Sequence, residues 1–145
     1  MKHWITSILL SSVMVTSAYA SDIGRIKVSN GEAYISRGGQ KLAVAVGTLV
    51  QTSDTIVTGA DGSVGITFLD NSMLSIGNHS SMNLEQFAFD NTTQAGKFDV
   101  ALHKGSLMVV AGKLTQHNPD ALKIKTPASI LAVRGTELAV YVEGD

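Results

Sequence analysis

Chemistry in this chain would have to come from its histidines, its turn aspartates, its serines or one arginine set in an aliphatic run. His79, His103 and His117 are the histidines beyond the N-terminal segment. None has a second histidine or a carboxylate at a ligand spacing such as H-x-x-x-H, so a metal site would have to assemble from distant loops, and solvated turn positions are the plainer expectation. Serines are abundant, yet there is no G-x-S-x-G elbow and no serine stands in a recognisable order with a histidine and an acid. Asp54, Asp61 and Asp70 offer the oxygen ligands that calcium takes, but without a D-x-D-x-D-G pattern they read as turn caps. The absence of cysteine excludes a thiolate nucleophile, a thiolate metal site and a disulfide framework. No catalytic group, metal or cofactor is expected, and the chain reads as a non-enzyme.

Arg134 stands apart because of its neighbours, Ile130, Leu131, Ala132, Val133 and Leu138. An arginine there either points outward or is buried with its five donors matched. Buried, it would clamp turn carbonyls or a carboxylate, with Asp54 and Glu137 as candidates. Outward, its planar fork suits a carboxylate on a partner. Pro127 removes a ladder donor and biases Thr126 towards extended geometry, which predicts a strand start or an edge. Gly135 interrupts the alternation and predicts a bulge or a close backbone approach.

The elements that must position these residues are short strands. Aliphatic and polar residues alternate from Ile23 to Val142 with little helical periodicity, which gives an all-β reading. The expected strands are 23–29, 32–36, 42–46, 55–57, 63–68, 72–76, 81–87, 97–103, 106–111, 121–126, 129–133 and 137–143. Turns are expected at Asn30-Gly31, Gly38-Gly39, Asp61-Gly62, Asp70-Asn71, Asp90-Asn91, Lys104-Gly105 and Asn118-Pro119. Residues 88–96 and 112–120 are polar and turn-rich and read as exposed loops. A loose echo, Val64, Ile66, Phe68, Leu74 and Ile76 against Val100, Leu102, Leu107 and Val109, is compatible with a β-helix-like roll of stacked short strands. A two-sheet β-sandwich is the alternative.

Residues 1–20 combine Lys2, an apolar run from Trp4 to about Val15, and Ala18-Tyr19-Ala20. This predicts a secretory signal peptide cleaved after Ala20, leaving residues 21–145 as a single domain. The run is shorter than the ~20 residues of a spanning helix, so no membrane span is expected after cleavage. Formal net charge is −1, and the lysines are scattered among acids. A basic patch of the kind that nucleic acid requires is missing, and no nucleic-acid partner is expected.

The segment holding Thr126, Pro127, Val133, Arg134, Gly135 and Thr136 resembles the T-P…V-R-G-T signature of the FecR-domain family, the periplasmic module of iron-citrate-type sensor regulators. Gly47–Thr58, with Leu49, Asp54 and Ile56, is similar to a further family segment, as are Ser63–Ser72 and Leu102–Leu107. In the turn at Asp70, Asn71 stands where the family usually has glycine, and asparagine tolerates the left-handed conformation that such a turn needs. The resemblance spans roughly residues 24–142. It favours the roll over the sandwich and marks those six residues as structural or binding positions. It also implies a periplasmic or extracellular module of the Gram-negative envelope that works through contacts with an envelope protein. A structural or assembly protein of the cell surface is the alternative. The cytoplasmic and membrane-spanning parts of the sensor regulators have no counterpart in this sequence, so their iron-uptake role is not part of the expectation.

Overall fold

Ser63–Phe68 shows how this sequence makes its strands. Val64, Ile66 and Phe68 are buried and alternate with half-buried Ser63, Gly65 and Thr67, the period-two pattern of a sheet with one face on a core. The computed structural model describes residues 21–144; the expected leader and its cleavage after Ala20 lie outside the described residues. The elements run in the order β1 (Asp22–Asn30), β2 (Ala33–Arg37), β3 (Gln40–Ala43), β4 (Leu49–Gln51), β5 (Thr55–Thr58), β6 (Ser63–Phe68), β7 (Met73–Ile76), β8 (Ser81–Phe89), β9 (Gly96–Val110), α1 (Leu114–His117), β10 (Leu122–Lys125), β11 (Ile130–Ala132) and β12 (Glu137–Val142). Strand accounts for 58% and helix for 3% of the described residues, the all-β class that the turn spacing predicts.

The roll takes the form of a curled antiparallel sheet in the order β3-β2-β5-β8-β9-β7-β6-β1-β4. Among the described residues parallel pairing is confined to β9 with β10. The hinge of the curl is β9. Its first part, as far as Lys104, pairs with β8 and β10, and its second part, Gly105–Val110, pairs with β12 and, from Leu107, with β7. The molecule therefore has two wings, one ending in β3 and β11, the other in β4 and β12.

Lys104-Gly105, expected as a turn between two strands, is instead a kink inside one fifteen-residue strand. Gly105 has φ +93°, and a Cβ there would run into Ser80. Glycine is required for the conformation and for the close approach, and Ser80 Oγ accepts a hydrogen bond from the Ser106 N–H at 3.0 Å. Two further differences are local. Leu49–Gln51 forms β4 where no strand was expected, and the segment 112–120, expected as an exposed loop, contains α1 with Leu114 buried.

The core lies between the wings and draws on both. Phe68 of one wing meets Phe98 of the other with centroids 4.6 Å apart, and Phe87 packs edge-on to Phe98 at 4.9 Å. Around them Ile26, Ile35, Ile56, Ile66, Leu74, Leu84 and Leu102 are buried. Each such side chain contributes roughly 1.5–3 kcal/mol on burial, which is what holds the curl closed over its interior.

Candidate interaction surface

The wings meet along two seams. At the first, between β3 and β4, an ion pair with a buried carboxylate links them. Arg37, at the end of β2, donates from Nε to Asp54 Oδ1 at 2.8 Å and from Nη2 to Asp54 Oδ2 at 2.7 Å. It also donates to the Leu49 carbonyl of β4 at 3.2 Å, and Asp54 accepts from the Gln51 N–H of the same strand at 2.9 Å. Two backbone groups of β4 are thus taken, one by Arg37 of the opposite wing and one by Asp54, three residues beyond the strand. The hydrogen bond to Asp54 raises the Arg37 pKa above its usual value, with partial burial opposing and the carboxylate's charge assisting.

The second seam, between β11 and β12, is spanned by the predicted site residues. Thr126 and Ser129 close the turn that contains Pro127: the Thr126 N–H donates to the Ser129 carbonyl at 2.8 Å, and the Ser129 N–H to Thr126 Oγ1 at 3.1 Å. The proline therefore precedes an edge strand, as its chemistry predicts. Val133 is fully buried, and its N–H donates to the Leu122 carbonyl at 3.0 Å. The Thr136 carbonyl accepts from the Ala111 N–H at 2.8 Å. Residues 133–136 cross from the edge of one wing to the edge of the other.

Two expectations for this segment are corrected. Gly135 is neither a bulge nor a close approach. It lies in the connection with φ +96° and open space where a Cβ would be. Arg134 does not clamp Asp54 or Glu137. It is 75% exposed at the side chain and reaches only Asp120 Oδ1, at 3.3 Å. Arg134 thus takes the outward alternative, and Asp54, one of the two carboxylates offered for the buried one, belongs to Arg37, a pairing that sequence reading missed because seventeen positions separate the partners.

The turn aspartates act within the fold. Asp61 Oδ1 accepts from the Glu32 N–H at 3.1 Å, and buried Asp70 accepts from the Ser72 N–H at 3.0 Å across a turn in which Asn71 takes the expected left-handed φ of +67°. His117 Nε2 lies 3.0 Å from Gln94 Oε1. Among the described residues no cluster of histidine and acidic side chains is arranged to hold a metal ion.

The outer faces of the wings differ in chemistry. On the β8–β9–β10 wing, Gln86, Asp99 and Lys123 stand opposite one another. Lys97 Nζ is 3.3 Å from Asp99, and Lys125 Nζ is 2.8 Å from Glu85, whose hydrogen bond raises the Lys125 pKa. On the β6–β7–β9–β12 wing the corresponding row is Gly65, Ser75, Met108 and Ala139. Tyr141, Met108 and Met73 are exposed there at 73%, 51% and 46%, beside a groove of about 450 Å³ with a floor of small side chains. Exposed uncharged apolar surface of this kind marks contact sites more often than open solvent.

No helix among the described residues is long and apolar enough to cross a membrane. No curated protein and no solved structure is significantly similar to the chain. The FecR protein family matches over residues 54–145, a stretch that contains Asp54, the β9 kink and the whole second seam. That family is associated with envelope signalling in Gram-negative bacteria through protein interactions and is not known for enzymatic activity. With well over half of its length matched, the chain belongs to the FecR protein family.

Proposed function

We propose that this protein is an exported, non-catalytic module of the Gram-negative envelope that binds a partner protein. The observation that carries the reading is the apolar outer face around Met73, Met108 and Tyr141, with Glu137 and Arg25 at its margin, set against the charge-laddered face of the opposite wing. Exposed Tyr141, Met108 and Met73 gather on one face, and a contiguous apolar patch is the surface feature that points to a contact site. Export is supported by the leader-like residues 1–20 and their Ala18-x-Ala20 ending. Fractionation of cells followed by mass spectrometry tests the first half: Ser21 at the N-terminus of a periplasmic product is expected, and a membrane-bound product that keeps Met1 overturns it. Cross-linking in intact cells tests the second half. An adduct with one defined envelope protein is expected, and a protein that stays free under all conditions overturns the reading.

A further inference from the structure

The exposed ends of the curled sheet are not alike. The β4 backbone is taken by Arg37 and Asp54. The β3 edge is four residues long and carries Lys41, whose ammonium lies 4.6 Å from the Tyr34 ring centroid. The β11 edge is three residues long and follows Pro127. Short length, lysine and proline are the devices by which edges avoid pairing. β12 is the least protected: six residues in unbroken register with β9, without proline, lysine or bulge, and with a single charge, Glu137, at its first position.

Its hydrogen-bonding side can be assigned. The Ala111 N–H donates to the Thr136 carbonyl, and the Gly77 N–H donates to the Ser106 carbonyl. In an antiparallel ladder the direction alternates, so Leu138, Val140 and Val142 bond to β9, while Glu137, Ala139 and Tyr141 present N–H and C=O to the open side. Among the described residues β12 pairs with β9 alone, so those groups have no strand partner. One groove lies on the outer face, over β6, β7, β9 and β12, and one cavity borders the open side of β12. The outer groove is bordered by Met108, Ala139 and Tyr141. The cavity, of about 360 Å³, lies between Leu131 of β11 and Val140 and Val142 of β12.

We propose that β12 receives an extended, aliphatic, uncharged segment of a partner protein as an added strand. Its backbone pairs with Ala139 and Tyr141, and its side chains alternate between the outer face beside Ala139 and Tyr141 and the inner cavity. Strand addition of this type takes affinity from backbone bonds and specificity from the alternate pockets. The occupant is a single strand and not a second copy of this chain. The far side of the slot is bounded by β11 and the Thr126–Ser129 turn, where the β9 that accompanies a second copy's β12 would have to lie. The inference rests on the binding role proposed above and specifies how that binding is made.

The test uses the exported protein with a defined probe, a peptide of six alternating valines and alanines between lysine pairs. Binding should protect the Ala139 and Tyr141 amides from hydrogen exchange and leave the already bonded Leu138 and Val140 amides unchanged. Ala139→Pro removes one free donor without touching the β9 ladder, and it should weaken the peptide about tenfold, the loss of one hydrogen bond with its acceptor left unpaired. The same peptide N-methylated at alternate residues should fail on the unaltered protein, so the result does not depend on the variant folding. Unchanged exchange at saturating peptide overturns the proposal. So does protection that rises with protein concentration alone, which would place a second copy on the edge. In cells, a photo-crosslinking phenylalanine analogue at position 141 should give an adduct with one partner. Adducts from position 97 alone would keep the binding role and overturn the edge, and adducts from neither would overturn both.

Discussion

At the β3–β4 seam, Arg37 reaches from one wing to take the Leu49 carbonyl of the other and the carboxylate of Asp54, which itself accepts the Gln51 N–H. At the β11–β12 seam no side chain among the described residues does so. The connection at residues 133–136 crosses at one end, and beyond it the β12 edge and a cavity lined by Leu131, Val140 and Val142 are open. Both seams join the same two wings, so curvature does not decide which is sealed. The difference is chemical. A bidentate ion pair over a buried carboxylate makes the first seam a structural joint, whereas the second offers unpaired backbone and half-buried aliphatic side chains, the surface that association can complete.

The largest effect should come from the sealed seam. Asp54 is 1% exposed at its side chain and relies on Arg37, itself 34% exposed. Arg37→Ala leaves that carboxylate buried and without its partner, and urea melts should show a loss of about 3 kcal/mol, the lower end of the range for broken buried pairs because water reaches the guanidinium. Arg37→Lys should recover little, since an ammonium cannot hold both carboxylate oxygens and the Leu49 carbonyl at once. A loss below about 1 kcal/mol would put the ion pair among exposed surface bridges and remove the contrast between the seams.

The next effect belongs to the second seam's anchor. Val133 is the residue of the family segment that enters the core, so Val133→Ala should cost about 2 kcal/mol in lost burial and cavity formation. Because the crossing is held by backbone bonds at Val133 and Thr136, the variant should remain folded at moderate temperature and keep the β12 edge open. Stability indistinguishable from the parent protein would mean that this segment lies on the core without helping to close it.

Local signals explain what was legible before the structure. Alternation marked β6, and its boundaries hold to the residue. The left-handed turn at Asn71 could be read because asparagine's tolerance of that conformation is a property of one residue. Gly105 misled for the same reason. A glycine beside a lysine looks like a hairpin tip, and only the packing of Ser80 against it shows that the strand passes through the kink. β4 escaped notice because three residues carry too little periodicity, and α1 because a single buried residue, Leu114, makes no amphipathic pattern. The Arg37–Asp54 joint has no local signature at all, since neither residue type nor spacing signals a contact made across the fold. The open edge of β12 was equally hidden: its sequence is that of any buried strand, and only the pairing order shows that one side is vacant.

The smallest effect, and the sharpest test of the comparison, concerns Arg134. Sequence chemistry allowed it to be a clamp like Arg37, yet the two arginines occupy opposite regimes. Arg37 holds a buried carboxylate at 2.7 and 2.8 Å, while Arg134 makes a single 3.3 Å contact to Asp120 with both side chains more than half exposed. Exposed pairs of that geometry contribute about 0–1 kcal/mol, and salt screens them. Arg134→Ala and Arg134→Lys should therefore melt within about 1 kcal/mol of the parent protein, and raising the salt concentration should shrink even that difference. A loss of about 3 kcal/mol for both variants would show that the second seam is clamped like the first, and the case for an open edge would weaken with it. If stability is unchanged but cross-linking from position 141 falls in Arg134→Ala and is not restored in Arg134→Lys, the guanidinium fork itself meets the partner, because lysine keeps the charge and loses only the geometry.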